Sequence, residues 1–398
     1  MNLREFDDVS DVIKTLNPSY PVFCLRPHEL KRQAEHFLNH FPGRVLYAVK
    51  CNPHPAVLQT LYDAGIRHFD TASLAEISQV REQLPQADCY FMHPVKGRAA
   101  IQTAHEVYRV DHYVIDHLKE LEKIVETTGS GDGRVVLVRI VTPSIDAQYP
   151  LSDKFGVVGS EAVELLHAVH NAGFQTGLAF HVGSQCRNPE AFRVGINIAL
   201  DLIAEADIPI HYLDVGGGFP AHYEQDAVPP LTDYIDVIRE SVQNAKLRGD
   251  CVLMCEPGRG MVASACSLLT QIQLRKGNDL YINDGIYQSL SETLVANIQL
   301  PTRLLNPNRQ LATKTQQFRI LGPTCDCMDV LPHPFTLPED AEEGDWIEIG
   351  QIGAYSNAAA TRFNGFKAET FVSVADAPLL PVLDIRKPQA QEKASETA

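Results

Sequence analysis

The sequence predicts an α/β protein, a (β/α)8 TIM barrel with a smaller C-terminal β-domain, and three observations predict it. Eight short runs of branched and aromatic residues recur after Gly43, stretches of helical period separate them, and the texture changes after Gly260. The strand-like runs are 45–50, 68–72, 89–93, 112–115, 135–141, 177–183, 211–216 and 252–256. Between them, 55–64, 74–82, 98–108, 118–126, 161–172, 189–206 and 232–247 repeat apolar residues at helical spacing. Eight strands with helical crossovers over this length suit a closed barrel better than an open doubly wound sheet.

Beyond Gly260, β-favouring runs at 267–274, 280–283, 318–321, 346–349 and 370–374 stand between turn residues. The first 25 residues precede the barrel and are expected to pack with this second unit. The expected division is a barrel at 26–260, a discontinuous β-domain at 1–25 and 261–385, and a disordered tail at 386–398, which has no apolar residue larger than alanine.

The composition narrows the function. A chain of 398 residues with 44% hydrophobic content can bury more than one core. Its net charge of -16, from 50 acidic and 34 basic residues, disfavours nucleic acid or an anionic membrane as partner. Nine cysteines without a repeated C-x-x-C pair indicate neither a disulfide framework nor a zinc site, so no metal is expected and the thiols should be reduced in a cytoplasm. The charged N-terminus has neither the apolar stretch of a signal peptide nor a membrane span.

In a barrel of this class the chemistry gathers at the C-terminal ends of the strands. The first strand ends in Lys50, behind an apolar run that is expected to desolvate the amine, lower its pKa and let it form an imine. The second ends in Asp70, close enough in barrel order to pair with Lys50, and the fifth ends near Arg139. The sixth leads into His181 and Ser184, an imidazole and a hydroxyl-bearing turn suited to stacking on a ring beside a phosphate. After the seventh come Gly216, Gly217 and Gly218, whose backbone N–H groups can approach an anion. The eighth ends in Glu256-Pro-Gly258-Arg259, where a carboxylate that can face a pyridine nitrogen adjoins a phosphate-binding guanidinium. Each residue alone has an ordinary structural reading as a salt bridge, core histidine or flexible turn. Four strand ends with compatible chemistry argue against coincidence.

Taken with Tyr47-Ala-Val-Lys-Cys-Asn52, Phe69-Asp-Thr-Ala-Ser73, Lys154-Phe-Gly156, Gly322-Pro-Thr-Cys-Asp326 and Gly353-Ala-Tyr355, these residues resemble a known family. It is the fold type III, alanine-racemase-like pyridoxal-phosphate decarboxylases, in their ornithine/lysine decarboxylase branch. The resemblance implies pyridoxal 5′-phosphate as cofactor and decarboxylation of an amine-bearing amino acid. Lys50 would carry the cofactor as a Schiff base, His181 would stack on its ring and Glu256 would pair with its nitrogen. Ser184, Gly217, Gly218, Gly258, Arg259 and Tyr355 would hold the phosphate, with Asp70 and Arg139 in support. Cys325, protonating Cα, and Asp326, binding the distal amine, would enter the site of the neighbouring subunit in a homodimer. Lys154 and Asp329 would form an ion pair between the subunits.

One departure bears on substrate. The acid that this branch places near the distal ammonium falls at Val295 or Ala296, both apolar, and Glu292 is the nearest candidate to replace it. A larger carboxylated amine, such as a polyamine or siderophore precursor, therefore stays open as substrate. Diaminopimelate fits less well, because Asp326-Cys327 stands where that branch has Glu-Ser. A racemase of the same fold would lack the Cys-Asp pair, a non-catalytic regulatory homologue would have lost Lys50 or the glycine loop, and a barrel acting on phosphorylated metabolites would not need Lys50 with Glu256.

Overall fold

The computed structural model describes residues 3–380 apart from 132, 152, 226–227, 244, 246 and 248. The tail expected to be disordered, 386–398, lies outside the described residues.

Eight parallel strands close into a barrel: Arg44–Ala48, His68–Thr71, Asp88–Phe91, His112–Ile115, Val135–Arg139, Gln175–Ala179, Tyr212–Asp214 and Val252–Cys255. Each matches an expected run to within a few residues. Closure comes from the last strand pairing with the first, Met254 opposite Arg44 and Cys255 opposite Val45. Period-two alternation sorts the side chains. Leu46, Tyr90, Val114, Leu137, Tyr212 and Met254 form a cluster of their own, while neighbours such as Val45, Tyr47, Phe69 and Phe91 belong to a larger cluster with helical residues.

The sequence reading missed the helix Pro27–His40, which precedes the first barrel strand. Pro27 stands at its first turn, where a missing N–H costs nothing, and Leu30, Ala34 and Phe37 form a buried stripe at i, i+4 and i+7. Histidines and charges around that stripe mask it in the sequence. Phe37 meets Phe219 edge-on at 5.3 Å, which ties this helix to the glycine loop after the seventh strand.

A nine-stranded sheet forms the second layer. Its axis is the strand Cys266–Lys276, which pairs antiparallel with Val22–Leu25 on one edge and with Trp346–Ile349 and Asp279–Ile282 along the rest. The N-terminal strands Arg4–Phe6 and Val22–Leu25 both lie parallel to Thr370–Val374, so segments far apart in the sequence meet in this sheet. At the junction with the barrel, Arg26 is buried against Ser267, Glu348 and Asp376 at 2.8–3.0 Å. Among the described residues no helix is long and apolar enough to cross a membrane.

Candidate active site

The barrel mouth gathers the side chains that the strand ends deliver. Lys50 sits in a single 3-10 turn, Val49–Cys51, directly after the first strand, and its ammonium pairs with the buried carboxylate of Asp70. Burial of the amine acts to lower its pKa, but the carboxylates of Asp70 and Glu256 outweigh it and the net shift is upward. The expectation of a lysine depressed by desolvation is thereby corrected. The apolar run is present, yet two acids face the amine.

Glu256 follows the eighth strand, and its backbone N–H donates to the Gly216 carbonyl at 2.8 Å. Burial, then the charges of Asp70 and Asp214, push its carboxyl far above the usual range, against the pull of Lys50 and Arg139. Asp214 is a participant that the sequence reading passed over. One of its oxygens accepts the Gly216 N–H at 2.8 Å, the other is buried without a partner among the described residues, and burial raises its pKa to about 7. The signal was present in the sequence, since an aspartate two residues before a glycine run is a natural cap for the loop.

His181 accepts the Gly183 N–H on Nδ1 at 3.0 Å, so a neutral ring carries its proton on Nε2. Burial, then Arg139 and Lys50, hold it neutral. Its Nε2 faces the glycine loop. A Cβ on Gly217 would stand 2.9 Å from that nitrogen and 2.7 Å from the Glu256 carbonyl oxygen, and one on Gly218, at φ +111°, would stand 2.6 Å from the Gly183 oxygen. Only glycine leaves this cradle open.

Arg259 closes the cradle. It is buried and donates from Nε and Nη2 to Ser184 Oγ at 3.3 Å and from Nη1 to the Tyr223 hydroxyl at 3.0 Å. Tyr223 is a second residue the sequence reading passed over, and nothing in its surroundings in the sequence marks it. The Tyr355 ring lies 5.0 Å from the guanidinium. Its segment is clamped to the barrel by its own N–H on the Cys51 oxygen at 2.8 Å and by Asn52 Nδ2 on the Gly353 oxygen at 2.8 Å. Gly258 fits because a Cβ there would come within 3.0 Å of Cys51.

Glu292 goes to the same place. It was expected to face a distal ammonium, but its carboxylate is paired with Arg259 Nη2. Of the two positions where the distal acid was sought, Val295 is 57% exposed and Ala296 is 3% exposed.

Cys325 and Asp326 lie on an exposed loop after the strand Thr315–Leu321. Asp326 accepts from the Tyr287 hydroxyl at 2.7 Å and the Met328 N–H at 2.9 Å, and the Cys325 N–H donates to Asn364 at 3.1 Å. Among the described residues no contact joins this pair to Lys50 of the same chain. Asp329, expected to reach across to Lys154, is 2% exposed and already accepts from Ile286 N and from Thr324 N and Oγ1 at 2.7–3.0 Å. It sits so close to Gly285 and Gly322 that a Cβ on either would fall 2.1–2.2 Å from its Oδ1. Asp329 thus shapes the loop that carries Cys325 and Asp326.

The cluster can bind an aldehyde-bearing pyridine with a phosphate arm. It offers an amine, an acid for the ring nitrogen, a flat neutral imidazole and a glycine cradle with a guanidinium. One oxygen each of Asp70 and Asp214 is buried and unpartnered among the described residues, as befits a site built around a further polar group.

Comparison with known proteins agrees. Residues 28–263 match the family model described as pyridoxal-dependent decarboxylase, pyridoxal binding domain. The lysine/ornithine decarboxylase of Selenomonas ruminantium is 32% identical over 349 residues, covering 85% of this chain and 86% of that protein. The ornithine decarboxylase of Mus musculus is 31% identical over 357 residues, covering 84% and 76%. Among solved structures, the Paramecium bursaria Chlorella virus arginine decarboxylase bound to agmatine has a TM-score of 0.81 at 26% identity, covering 92% of this chain and 99% of that one.

Proposed function

The chain belongs to the pyridoxal-dependent decarboxylases, and from that premise we propose that it removes the α-carboxylate of an L-amino acid with a distal amine, holding its cofactor on Lys50. The observation that carries this reading is the convergence of Lys50, Asp70, His181 and Glu256 from four strand ends beside the cradle closed by Arg259. Pyridoxal phosphate, when bound, supplies the electron sink that lets the bond to the carboxylate break.

The protein's part is placement and proton control. Asp70 holds the Lys50 ammonium at the mouth before the cofactor is bound. Glu256 brings a buried carboxyl from the end of the eighth strand to face a ring nitrogen. Neutral His181 offers a flat face, and Arg139 sets the local charge that His181, Asp214 and Glu256 all feel. Ser184, Gly217, Gly218, Gly258, Arg259 and Tyr355 take the phosphate. We assign Cys325 and Asp326 to the neighbour's site in a homodimer, Cys325 as proton donor to Cα and Asp326 as partner of the distal amine. In this assignment the barrel of 26–260 carries the cofactor, and the β-domain of 1–25 and 261–385 carries Tyr355 and the loop that is shared.

The relatives named for lysine, ornithine and arginine support a substrate that ends in a cation. A larger carboxylated amine is a second reading, favoured by the apolar pair Val295 and Ala296 where a second acid was sought. Purified protein loaded with pyridoxal phosphate and reduced with borohydride should carry the label on the Lys50 peptide and release CO2 from diamino acids before reduction. A label on another lysine, or none, removes Lys50 from the mechanism.

A further inference from the structure

Arg259 is the residue on which a phosphate would depend, and most of its hydrogen-bonding capacity is already engaged. It gives two donors to Ser184, one to Tyr223 and one to Glu292, and its side chain is 4% exposed against 16% for Glu292. A guanidinium has five N–H groups in a rigid fork, so a phosphate arriving here must share it with a carboxylate. Burial acts to lower the pKa of Arg259, and Tyr223, Glu292 and Tyr355 together more than offset it.

We propose that Glu292 is the internal counter-ion of the phosphate cradle, neutralising and positioning Arg259 while no phosphate is bound and competing with the phosphate for it afterwards. This rests on the reading of Ser184, Gly217, Gly218 and Arg259 as that cradle. A buried cation without a partner is strongly unfavourable, so Glu292 lets the cradle stay formed in the cofactor-free protein. The same charge repels an incoming phosphate dianion and weakens its hold on Arg259. Glu292 is therefore a positioning residue for the cofactor's phosphate and not a partner of the substrate's distal amine. It makes the cofactor more readily exchanged than an unopposed arginine would.

The test uses the full-length protein freed of cofactor, wild type and Glu292→Gln, titrated by calorimetry with inorganic phosphate, pyridoxal phosphate and pyridoxal. Glutamine keeps a hydrogen bond to Arg259 and removes the charge. Phosphate and pyridoxal phosphate should bind Glu292→Gln about tenfold more tightly, one decade being the scale of a single charge contact at a partly buried site. Pyridoxal, which has no phosphate, should bind both proteins alike. The cofactor-free variant should melt at a lower temperature than wild type, and saturating phosphate should close the gap. If the variant is recovered only in phosphate buffer, its affinity is read from phosphate release on dialysis. Failure to fold even in saturating phosphate overturns the proposal, and so does phosphate affinity that is unchanged or weaker. Wild type that binds neither phosphate nor pyridoxal phosphate overturns the cradle reading as well. Wild type that binds both, with the variant identical to it, overturns only the role of Glu292.

Discussion

The Lys50 ammonium and the Asp70 carboxylate are bonded across neighbouring barrel strands, whose register sets Ala48 opposite Asp70. The pair decides when the lysine can act as a nucleophile. A neutral amine is needed to condense with an aldehyde, and Lys50 holds its proton beyond the usual lysine range because Asp70 and Glu256 overcome the effect of burial.

Asp70→Asn should therefore shift the pH dependence of cofactor attachment. In wild type the attachment rate rises with pH, since a raised pKa keeps the ammonium charged until the medium is alkaline. With Asp70 neutral, burial gains weight and the midpoint moves to lower pH, by at least about one unit on the scale of a lost ion pair in a site of this kind. The growth of visible absorbance at Lys50, followed from pH 7 to 10, checks it. Superimposable profiles would show that Asp70 does not govern the amine.

What could be read in the sequence was what local chemistry encodes. All eight barrel strands announced themselves because buried parallel strands are short apolar runs, and Lys50, Asp70, His181 and Glu256 stood where those runs ended. What escaped depended on distance. Glu292 and Arg259 are 33 positions apart, and no spacing rule reveals that one takes up the other. Tyr223 reaches Arg259 across 36 positions. The charge that reverses the shift at Lys50 belongs to neighbouring strands, so the apolar run before Lys50 gave the wrong sign. The helix Pro27–His40 was missed because its apolar stripe is narrow.

Mixing Lys50→Ala with Cys325→Ala should restore activity well above that of either variant. Cys325 is exposed and Asp326 half-buried, and they are held by Asn364 and Tyr287, away from their own Lys50. In a homodimer with shared sites, a mixed dimer has one site with an intact Lys50 and an intact Cys325. The check is CO2 release after subunit exchange has been demonstrated by mass. Exchange without recovery would mean that each site is built within one chain.

Acid should destabilise the protein through His112. Its ring lies 4.2 Å from that of Tyr90 and 5.4 Å from that of Tyr212, and its buried Nε2 has no partner among the described residues. Burial, with Arg44 adding to it, lowers its pKa from 6.5 to about 4. Between those values the unfolded chain binds a proton that the native protein refuses. The contribution is thus present above about pH 6.5 and is lost as pH falls toward 4. His112→Phe keeps an aromatic ring and should flatten urea-measured stability across this window by up to about 2–3 kcal/mol. An unchanged slope would place the acid sensitivity elsewhere, with His54, also lowered to about 4, as the next candidate.

Substrate choice should follow from the number of acids that meet the distal amine. Val295 and Ala296 offer none, and Glu292, the nearest replacement, is spent on Arg259. Asp326 remains, so an amine or similar polar handle at the far end is still required. A charge-assisted hydrogen bond contributes about 1.5 to 3 kcal/mol, and its loss lowers kcat/KM for ornithine about 10- to 100-fold relative to a site with two acids. Lysine or a longer amine-bearing amino acid, which can place its ammonium beyond the apolar pair, should be preferred. The measurement is kcat/KM for ornithine, lysine, 2,4-diaminobutyrate, diaminopimelate and a carboxylated polyamine, at saturating pyridoxal phosphate, for wild type and Glu292→Gln. The ranking should place ornithine below lysine or the polyamine, and Glu292→Gln should leave it unaltered, because Glu292 acts at the phosphate end. Efficient turnover of ornithine by both proteins would show that Asp326 alone suffices. A loss confined to the diamino acids in Glu292→Gln would return Glu292 to the substrate pocket.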